Sequence, residues 1–379
     1  MSKGPLQLLI ATGLYPPDIG GPATYCRMLE ELLPAHAVSV AVLPFGTVRS
    51  LPKVIRHLRY TYELFRMSKD AEVIYALDPV SVGLPARIVA FLRRKPLWVR
   101  LGGDYAWEQG QQRFGLKEDL DAYTKDRTRA PFQVKMLHAL QRFTVAGAAQ
   151  IIAPSQYLKS VIVSWGIDPE RVAVIYSALH PLPVSESKAI LRERLSFTGT
   201  VIATVGRLVP WKGFAALIDA VADLSKEHPD ISLVVIGDGP EETALRERIA
   251  ARGAGECIRL MGKLPKDALG DALKASDIFV LNTAYEGLSH QLLEVMELGL
   301  PIVTTNIGGN PELIRDGVSG FLVTPNDTAA LKEAILRLIQ NDDLRTRMVQ
   351  NARVRTLDFA EEKVVSQFAA LLSQTYEHT

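Results

Sequence analysis

The amino-acid sequence predicts an α/β protein with two doubly wound parallel sheets. Short apolar runs alternate with amphipathic stretches of helical spacing, and this alternation occurs twice, with an interruption after about residue 180. It is typical of parallel strands joined by helices that cover both faces of the sheet. The chain has 379 residues, more than a single core usually supports, so two domains are expected.

The first domain is predicted over residues 1–180. Its strands are expected at LQLLIATG, AVSVAVLPF, AEVIYAL, PLWVRLGG, AQIIAPS and RVAVIYS. Helical patterns lie between them at ATYCRMLEELL, PKVIRHLRYTYELF, VGLPARIVAFLRR and FQVKMLHALQRFTVAG.

A linker is predicted over residues 181–198, where Pro and Ser and then charged residues interrupt the alternation. The second domain follows over residues 199–358, with strands at GTVIATVGRL, ISLVVIGDG, ECIRLMGKL, DIFVLNT, LPIVTTN and GFLVTP. Three helical segments end the chain, namely TAALKEAILRLIQ, DLRTRMVQNARVRT and EEKVVSQFAALLSQTY. The last of them is predicted as a separate C-terminal helix within residues 359–379.

The charge is unevenly divided along the chain. Residues 1–189 contain 23 basic and 16 acidic side chains, and the remainder contains 20 and 26. The basic excess points to an anionic partner such as a membrane surface, a phosphorylated acceptor or nucleic acid. Cys26 and Cys257 are too few and too far apart for a disulfide framework. The N-terminus lacks the layout of a signal peptide, and no apolar run reaches the roughly 20 residues of a membrane span. We expect a cytoplasmic protein, with peripheral contact at the inner face of the membrane.

Two glutamates flank the start of a predicted helix in AYEGLSHQLLE. Glu286 and Gly287 follow the strand DIFVLNT, and Glu294 lies one turn inside the helix. The first helical turn attracts anions, because its N–H groups lack intrahelical partners. Carboxylates accept hydrogen bonds from paired hydroxyl groups. The pattern therefore indicates a ligand with hydroxyls on both sides of a phosphate, as in a nucleotide-sugar. An ordinary helix start, with Glu286 at the surface, is the alternative. The residues at the phosphate position are Leu288, Ser289 and His290.

Two further turns support an anion site. Gly206-Arg207 ends the strand GTVIATVGRL and Lys212-Gly213 begins the next helix, so two cations are available for a diphosphate and for the charge that grows on it as it departs. In the first domain Gly20-Gly21 follows the first strand, where backbone without side chains can approach a ligand closely. Such glycine turns are common in any doubly wound domain.

With these elements together, the chain resembles the retaining glycosyltransferases of the GT-B fold, in the family numbered four. Gly206, Arg207, Lys212 and Gly213 match the family pattern of strand, Gly-Arg and Lys-Gly. Glu286-Gly287 and Glu294 match its two glutamates eight positions apart. The following GLPIVTTNIGGNPELIRDGVSGFLV also resembles the family. The resemblance implies two Rossmann-like domains facing each other across a cleft, with the last helix crossing back to the first domain.

The resemblance also implies roles for single residues. Arg207 and Lys212 would hold the donor diphosphate, helped by backbone at Leu288, Ser289 and His290. Glu294 would bind the ribose and Glu286 the transferred sugar. Backbone at Gly262, Lys263 and Leu264 would meet the nucleobase, and Gly21 would lie near the phosphates. No cofactor or metal is expected, because the two cations supply the charge. Asp119 and Asp121 form an Asp-x-Asp pattern for which a metal role is the alternative, but they lie in a polar stretch at no obvious strand end, so we predict a solvated polar face.

Two segments depart from the family pattern. Where the family often has a histidine after the fourth strand, this chain has Gly102-Gly103-Asp104. We predict Asp104 as a catalytic contact to sugar or acceptor, with a turn or cap role as the alternative. Tyr176, Ser177 and Ala178 stand where the family tends to have Pro-Asn-Gly. Both departures concern the acceptor side or the hinge.

The implied reaction moves a hexose from a UDP- or GDP-linked donor to a hydroxyl of a glycan or lipid-linked acceptor, in cell-surface polysaccharide or glycolipid synthesis. The leaving phosphate would help to deprotonate the acceptor, and the anomeric configuration would be retained. Alternatives are a nucleotide-sugar epimerase of the same fold and a non-catalytic protein that binds sugar nucleotides. A dinucleotide-dependent oxidoreductase is disfavoured, because Glu242 replaces the third glycine after Gly237-Asp238-Gly239.

A basic amphipathic helix is predicted within RSLPKVIRHLRYTYELFRMSK. Its arginines are interspersed with apolar residues, as in helices that lie on anionic membranes. The alternative is a helix packed on the sheet with a solvated basic face. Nucleic acid is not expected, because stacking platforms and known binding motifs are absent from the sequence.

Overall fold

The computed structural model describes residues 4–18 and 20–377. They form two compact units, each with a parallel sheet of six strands. One unit reaches to Ala178 and includes the chain again from Phe359, and the other is Leu179–Asp358. The predicted α/β class with two doubly wound sheets is confirmed.

The first unit alternates strands and helices from its first described residues. Its strands are β1 (Leu6–Thr12), β2 (Val38–Pro44), β3 (Val73–Ala76), β4 (Leu97–Arg100), β5 (Gln150–Ala153) and β6 (Val172–Val174). Its helices are α1 (Gly21–Leu32), α2 (Lys53–Met67), α3 (Gly83–Arg93), α4 (Tyr105–Arg113), α5 (Leu120–Lys125), α6 (Phe132–Ala146) and α7 (Gln156–Val163).

The second unit repeats the pattern. Its strands are β7 (Thr200–Val205), β8 (Ile231–Ile236), β9 (Ile258–Gly262), β10 (Ile278–Leu281), β11 (Ile302–Thr305) and β12 (Phe321–Val323). Its helices are α8 (Lys188–Leu195), α9 (Phe214–Glu227), α10 (Glu242–Ala251), α11 (Lys266–Ala275), α12 (His290–Leu298), α13 (Asn310–Leu313), α14 (Thr328–Gln340) and α15 (Asp342–Thr356). The final helix, α16 (Glu361–Glu377), belongs to the first unit.

The strand order of each sheet reverses direction at one point. The first sheet runs β2-β1-β3-β4-β5-β6, so the reversal lies between β1 and β3. The second runs β9-β8-β7-β10-β11-β12, with the reversal between β7 and β10. In open parallel sheets, ligands bind outside the carboxyl ends of the strands at such a switch point.

The strand order also decides which helices share a face of the first sheet. Right-handed crossovers place α1, which leads from β1 outward to β2, on one face. Connections in the opposite direction place α2, α3, α6 and α7 on the other. Helix α16 packs on the α1 side, where Phe368 meets Trp98 with ring centroids 5.6 Å apart, in a core that includes Tyr25 and Leu29.

Helix α8 lies in the segment that the sequence presents as an interruption. Asp277, before β10, accepts hydrogen bonds from Lys188 Nζ at 2.7 Å and Arg192 Nη1 at 2.8 Å. The same carboxylate accepts the Val201 N–H at 2.9 Å. Asp277 therefore ties α8 to the second sheet.

Within the described ranges, no helix combines the length and the apolar character needed to cross a membrane.

Candidate functional site

The predicted donor residues of the second unit follow the two strands of its switch point. Strands β7 and β10 are neighbours, with Ile202 opposite Ile278. Gly206-Arg207 comes directly after β7, and Glu286-Gly287 lies in the loop between β10 and α12. The sheet topology thus brings together two segments that are about 80 residues apart in the chain.

The loop after β7 is fixed to the loop after β10 by buried hydrogen bonds. Gly213 has φ +63°, and a Cβ there would overlap the carbonyl oxygen of Asn282. Asn282 Nδ2 donates to the Gly213 carbonyl at 2.9 Å, and the Ala284 N–H donates to the Trp211 carbonyl at 2.7 Å. Lys212, between these anchored residues, is held at the switch point.

Lys212 and Glu286 form an ion pair across the switch point. Their side chains are only 12% and 13% exposed, so water screens the pair weakly. Arg207 is exposed at the carboxyl end of β7. The site therefore combines a solvent-exposed arginine with a lysine whose ammonium is paired to a carboxylate.

A second glycine pair supports the Glu286-Gly287 loop from beneath. Gly308 has φ +61°, and a Cβ there would overlap the carbonyl oxygen of Glu286. A Cβ at Gly309 would overlap the Gly287 carbonyl, and the Gly309 N–H donates to the Glu286 carbonyl at 3.0 Å. Because both positions lack a side chain, the Glu286-Gly287 backbone can pack directly against residues 308 and 309. The sequence prediction did not include these two residues, although the double glycine after the strand LPIVTTN could have indicated such a close contact.

Helix α12 begins at His290. Ser289 is its N-cap, and the Ser289 hydroxyl oxygen accepts the Leu292 N–H at 3.3 Å. Leu288 and Gly287 precede the cap and are buried. The N–H groups of the first turn lie at the end of α12 that adjoins the Glu286 loop. The helix dipole favours negative charge at this end.

Glu294 lies one turn inside α12, on the same face as His290. Burial raises the pKa of Glu294 to about 7, an effect that the charge of Lys266 offsets in part. A half-neutral carboxyl at this depth can donate or accept a hydrogen bond at neutral pH. That suits contact with paired hydroxyls better than contact with phosphate.

The predicted nucleobase segment lies at the same edge of the sheet. Gly262 ends β9, and its carbonyl accepts the Gly237 N–H at 2.8 Å. Lys263 is exposed and Leu264 is half-buried. Because β9 is two strands from β7, the segment lies roughly 10 Å from the Arg207 strand end. The structure thus aligns the predicted donor residues of this unit along one sheet edge.

In the first unit, Gly21 begins α1 beyond the carboxyl end of β1, at that sheet's own switch point. Asp78, which the sequence reasoning missed, follows β3 on the other side of the switch. Its Oδ1 accepts N–H groups of Val80 at 2.9 Å and Ser81 at 2.5 Å, and its Oδ2 faces Gly13. A carboxylate after a buried strand was the signal that could have found it.

Asp104 is fully buried and caps α4. Its Oδ1 accepts the Trp107 N–H at 3.0 Å and Gln141 Nε2 at 2.9 Å. Burial raises the pKa of Asp104, and these hydrogen bonds offset the rise in part. The described contacts are those of a cap residue, which was the alternative to the predicted catalytic contact; the catalytic role stays a prediction.

The acidic pair after residue 118 serves local structure. Asp119 caps α5 by accepting the Ala122 N–H at 2.7 Å, and Asp121 accepts the Tyr157 hydroxyl at 2.9 Å. Among residues 4–18 and 20–377, no group of three or more His, Cys, Asp or Glu side chains is arranged to hold a metal ion.

The chain matches two families that together span most of its length. Residues 20–178 match the family described as glycosyl transferase 4-like domain, and residues 188–355 match glycosyl transferases group 1.

Several curated relatives are named as glycosyltransferases. The D-inositol 3-phosphate glycosyltransferase of Acidothermus cellulolyticus is 26% identical over 92% of this chain and 84% of its own length. The alpha-D-kanosaminyltransferase of Streptomyces kanamyceticus is 32% identical, over 44% of this chain. The lipopolysaccharide core biosynthesis glycosyltransferase LpsE of Rhizobium meliloti is 31% identical, over 46% of it. The matched part spans less than half of each of the last two, 43% and 49%.

Solved structures share the fold over nearly the whole chain. Anabaena HepE, solved with UDP, is 20% identical and superposes with a TM-score of 0.75, covering 97% of this chain and 100% of HepE. The sucrose-phosphate synthase of Thermosynechococcus elongatus is 16% identical, with a TM-score of 0.78 over 99% of this chain and 100% of its own. These likenesses establish the GT-B fold.

Proposed function

Because the chain belongs to the glycosyltransferases of family 4, group 1, we propose that it transfers a hexose from a UDP- or GDP-linked donor to a hydroxyl group, with retention at the anomeric carbon. One observation carries the proposal. Arg207, Lys212 and Glu286 converge at the switch point of the second sheet, where open parallel sheets bind ligands. HepE was solved in complex with UDP and with UDP-glucose, which favours a uridine donor here too.

The cations are assigned to the leaving group. As the bond from the anomeric carbon to the diphosphate oxygen breaks, negative charge grows on the diphosphate. Arg207, exposed at the end of β7, and Lys212 would stabilise that charge. The diphosphate oxygen would take the proton of the acceptor hydroxyl as the acceptor oxygen bonds to the carbon from the same face. This route retains configuration without the carboxylate pair that glycosidases use.

Because Glu286 is paired with Lys212, its carboxylate can lie close to the donor diphosphate. A buried carboxylate without a cation would repel the diphosphate, whereas one paired to Lys212 contributes little net charge. The Glu286 oxygens can still accept hydrogen bonds from hydroxyl groups of the transferred sugar. We assign Glu294, one turn inside α12, to the ribose hydroxyls, and backbone at residues 262–264 to the nucleobase.

We assign the acceptor to glycans or lipid-linked glycans, as in cell-surface polysaccharide or glycolipid synthesis. LpsE, a lipopolysaccharide core glycosyltransferase, supports this class by similarity. No metal ion or cofactor is part of the proposal: the positive charge is assigned to Arg207, and Lys212, paired with Glu286, is assigned to donate hydrogen bonds to the diphosphate. The location proposed is the cytoplasm, at the inner face of the membrane.

The proposal is tested first by donor binding. A thermal-shift screen against UDP, GDP and their hexose conjugates should give a clear stabilisation with one nucleotide, about 2.7 kcal/mol at 100 times its dissociation constant. Arg207→Ala should then lower turnover by about 10²–10³. Arg246→Ala, an exposed arginine on α10 of the same unit, is the control and should leave turnover unchanged.

The product then decides the reaction class. Proton NMR of the product should show the anomeric configuration of the donor. Conversion of donor alone into an epimer would favour the epimerase alternative. Tight nucleotide binding without consumption of any donor would favour a non-catalytic protein.

A further inference from the structure

We propose that the outer face of α2, α3 and α6 docks on an anionic lipid membrane. The three-helix surface is defined by the exposed apolar side chains of these helices, which are Val54, Ile55, Leu58, Tyr62, Phe65, Ile88, Phe91, Leu92, Phe132, Met136 and Phe143. The proposal goes beyond the transfer reaction and does not depend on it.

The three helices form one layer on one face of the first sheet. They connect strands in the same direction, so their outer sides face the same way. Two arginines tie them together. Arg93 of α3 lies 3.7 Å from the ring centroid of Phe65 on α2 and donates to the Phe65 carbonyl at 2.8 Å. Arg87 of α3 lies 5.7 Å from the centroid of Phe143 on α6.

The exposure of this surface exceeds what a soluble face normally shows. Val54 is 72% exposed, Phe91 73% and Phe132 77%. On α2, Val54, Leu58, Tyr62 and Phe65 recur at spacings of four, four and three, which makes one stripe along the outside of the helix. The exposed large apolar residues of the second unit are fewer and scattered, among the residues described. Contiguous exposed apolar residues of this kind mark an interaction site.

The charge on the same helices selects the partner. Residues 53–67, 83–95 and 132–146 contain ten lysines and arginines and one acidic residue, Glu63. Glu63 is itself paired with Arg59 at 2.5 Å and Arg66 at 2.9 Å. A surface whose charged residues are almost all positive is complementary to an anionic partner.

The mixture of long cations and bulky apolar groups favours lipid over other anions. Phosphate backbones offer little to bury exposed Val, Leu and Phe side chains, and the cores of protein interfaces are depleted of charge. At a membrane surface the apolar groups enter the headgroup boundary, while arginine and lysine keep their charges among anionic headgroups. The three-helix surface therefore fits a bilayer with anionic lipid.

Vesicle sedimentation of the full chain tests the proposal. The protein should sediment with phosphatidylcholine vesicles that contain about a third phosphatidylserine, stay in solution with pure phosphatidylcholine, and be released as salt shortens the Debye length. Val54→Asp/Leu58→Asp should weaken binding to the mixed vesicles at least tenfold, an order-of-magnitude figure for losing two apolar contacts and adding two negative charges.

The second unit offers a matched control. Val354 and Leu357, each 70% exposed, resemble Val54 and Leu58 in type and exposure, so Val354→Asp/Leu357→Asp should bind vesicles as wild type does. Thermal stability of every variant is measured beside binding, so that unfolding is recognised. Equal sedimentation with neutral and anionic vesicles, or equal loss in both double variants, would overturn the proposal. Self-association of wild type, seen by ultracentrifugation without lipid and lost only in Val54→Asp/Leu58→Asp, would also overturn it by identifying a protein interface.

Discussion

Removing either partner of the Lys212–Glu286 pair should destabilise the second unit, and removing both should restore much of the loss. Breaking a buried pair by deleting one side costs about 3–5 kcal/mol, whereas exposed pairs are worth about 0.2–1 kcal/mol. Side chains that are 12% and 13% exposed lie nearer the buried limit. We therefore expect Lys212→Met to lower the free energy of unfolding by about 2–3 kcal/mol. Glu286→Gln should cost less, because its amide can still accept a hydrogen bond.

The double variant Lys212→Met/Glu286→Gln leaves no buried charge without a partner. Its free energy of unfolding should lie within about 1 kcal/mol of that of wild type, giving a coupling energy of at least about 1 kcal/mol. Urea unfolding, followed by tryptophan fluorescence, measures the four corners of the cycle. Turnover should behave differently: the double variant stays as slow as Lys212→Met, because the charge that faces the leaving group is missing.

An exposed pair supplies the control cycle. Arg246 and Glu242, on α10, form an i,i+4 pair at 2.7 Å with side chains 58% and 38% exposed. Arg246→Met/Glu242→Gln should show coupling of about 0.3–0.5 kcal/mol. If the Lys212–Glu286 cycle is additive to within about 0.5 kcal/mol, the pair is not formed in solution and the argument for a neutralised Glu286 fails.

Three further changes test single residues of the site and its supports. Burial raises the pKa of Glu294 from 4.5 to about 7, so its contribution to stability is present below pH 4.5 and is lost as the pH rises through 7. The free energy of unfolding of wild type should therefore fall by up to about 3 kcal/mol between pH 4.5 and 8, and Glu294→Gln should abolish this fall. If the variant keeps the pH dependence of wild type, the assignment is contradicted. Gly309→Ala should push the Gly287 backbone out of place and lower turnover by about 10²-fold, whereas Gly255→Ala, with open space around it, should be neutral in the same assay. Asp104→Asn keeps a good N-cap, so near-normal turnover and stability are expected if the residue only caps α4, and a large loss of turnover in a stable variant would support the catalytic role.

The strands were predictable because parallel strands between two helix layers are buried on both faces. The four residues of β10, IFVL, are all buried and read as an uninterrupted apolar run, as do those of β3, whereas β11 is equally buried but ends in two threonines. Each of the twelve strands falls inside an apolar segment that the sequence marks. Most of the long helices were equally visible, because one side of each is apolar; α15 is an exception that buries only Met348, Ala352 and Thr356.

Helices held by distant contacts were not visible in the sequence. Helix α8 has one buried residue, Leu191, and is fixed largely by Asp277, some 85 residues further along the chain. Helix α5 has only six residues; its Asp119 cap is local, but its Asp121 is held by the hydroxyl of Tyr157, 36 residues further along the chain. Apolar spacing is a weak signal for such elements, since their stability comes from polar contacts that only the fold creates.

The sequence predicted which residues form the site, but it did not predict which of them pair with each other. Gly-Arg and Glu-Gly after apolar runs mark the two strand ends, because parallel strands end at a common edge. Nothing in the sequence shows that Lys212 would be neutralised by Glu286, 74 residues away, or that Gly308 and Gly309 would support the loop. The pKa of Glu294 likewise depends on how deeply α12 is packed, which the helical pattern does not reveal.

The distribution of charge indicates that anions are recognised in two physically different ways. The second half of the chain carries more acidic than basic residues, 26 against 20, although it is the half that presents Arg207 and Lys212. A diphosphate there would be held by short contacts at a fixed strand edge, since the overall charge is unfavourable. In the first half, the excess cations lie on the outer sides of helices and act through a broad field. Because fields between exposed charges are screened within about 10 Å at 0.1 M salt, ionic strength should govern attachment to lipid much more than it governs nucleotide binding.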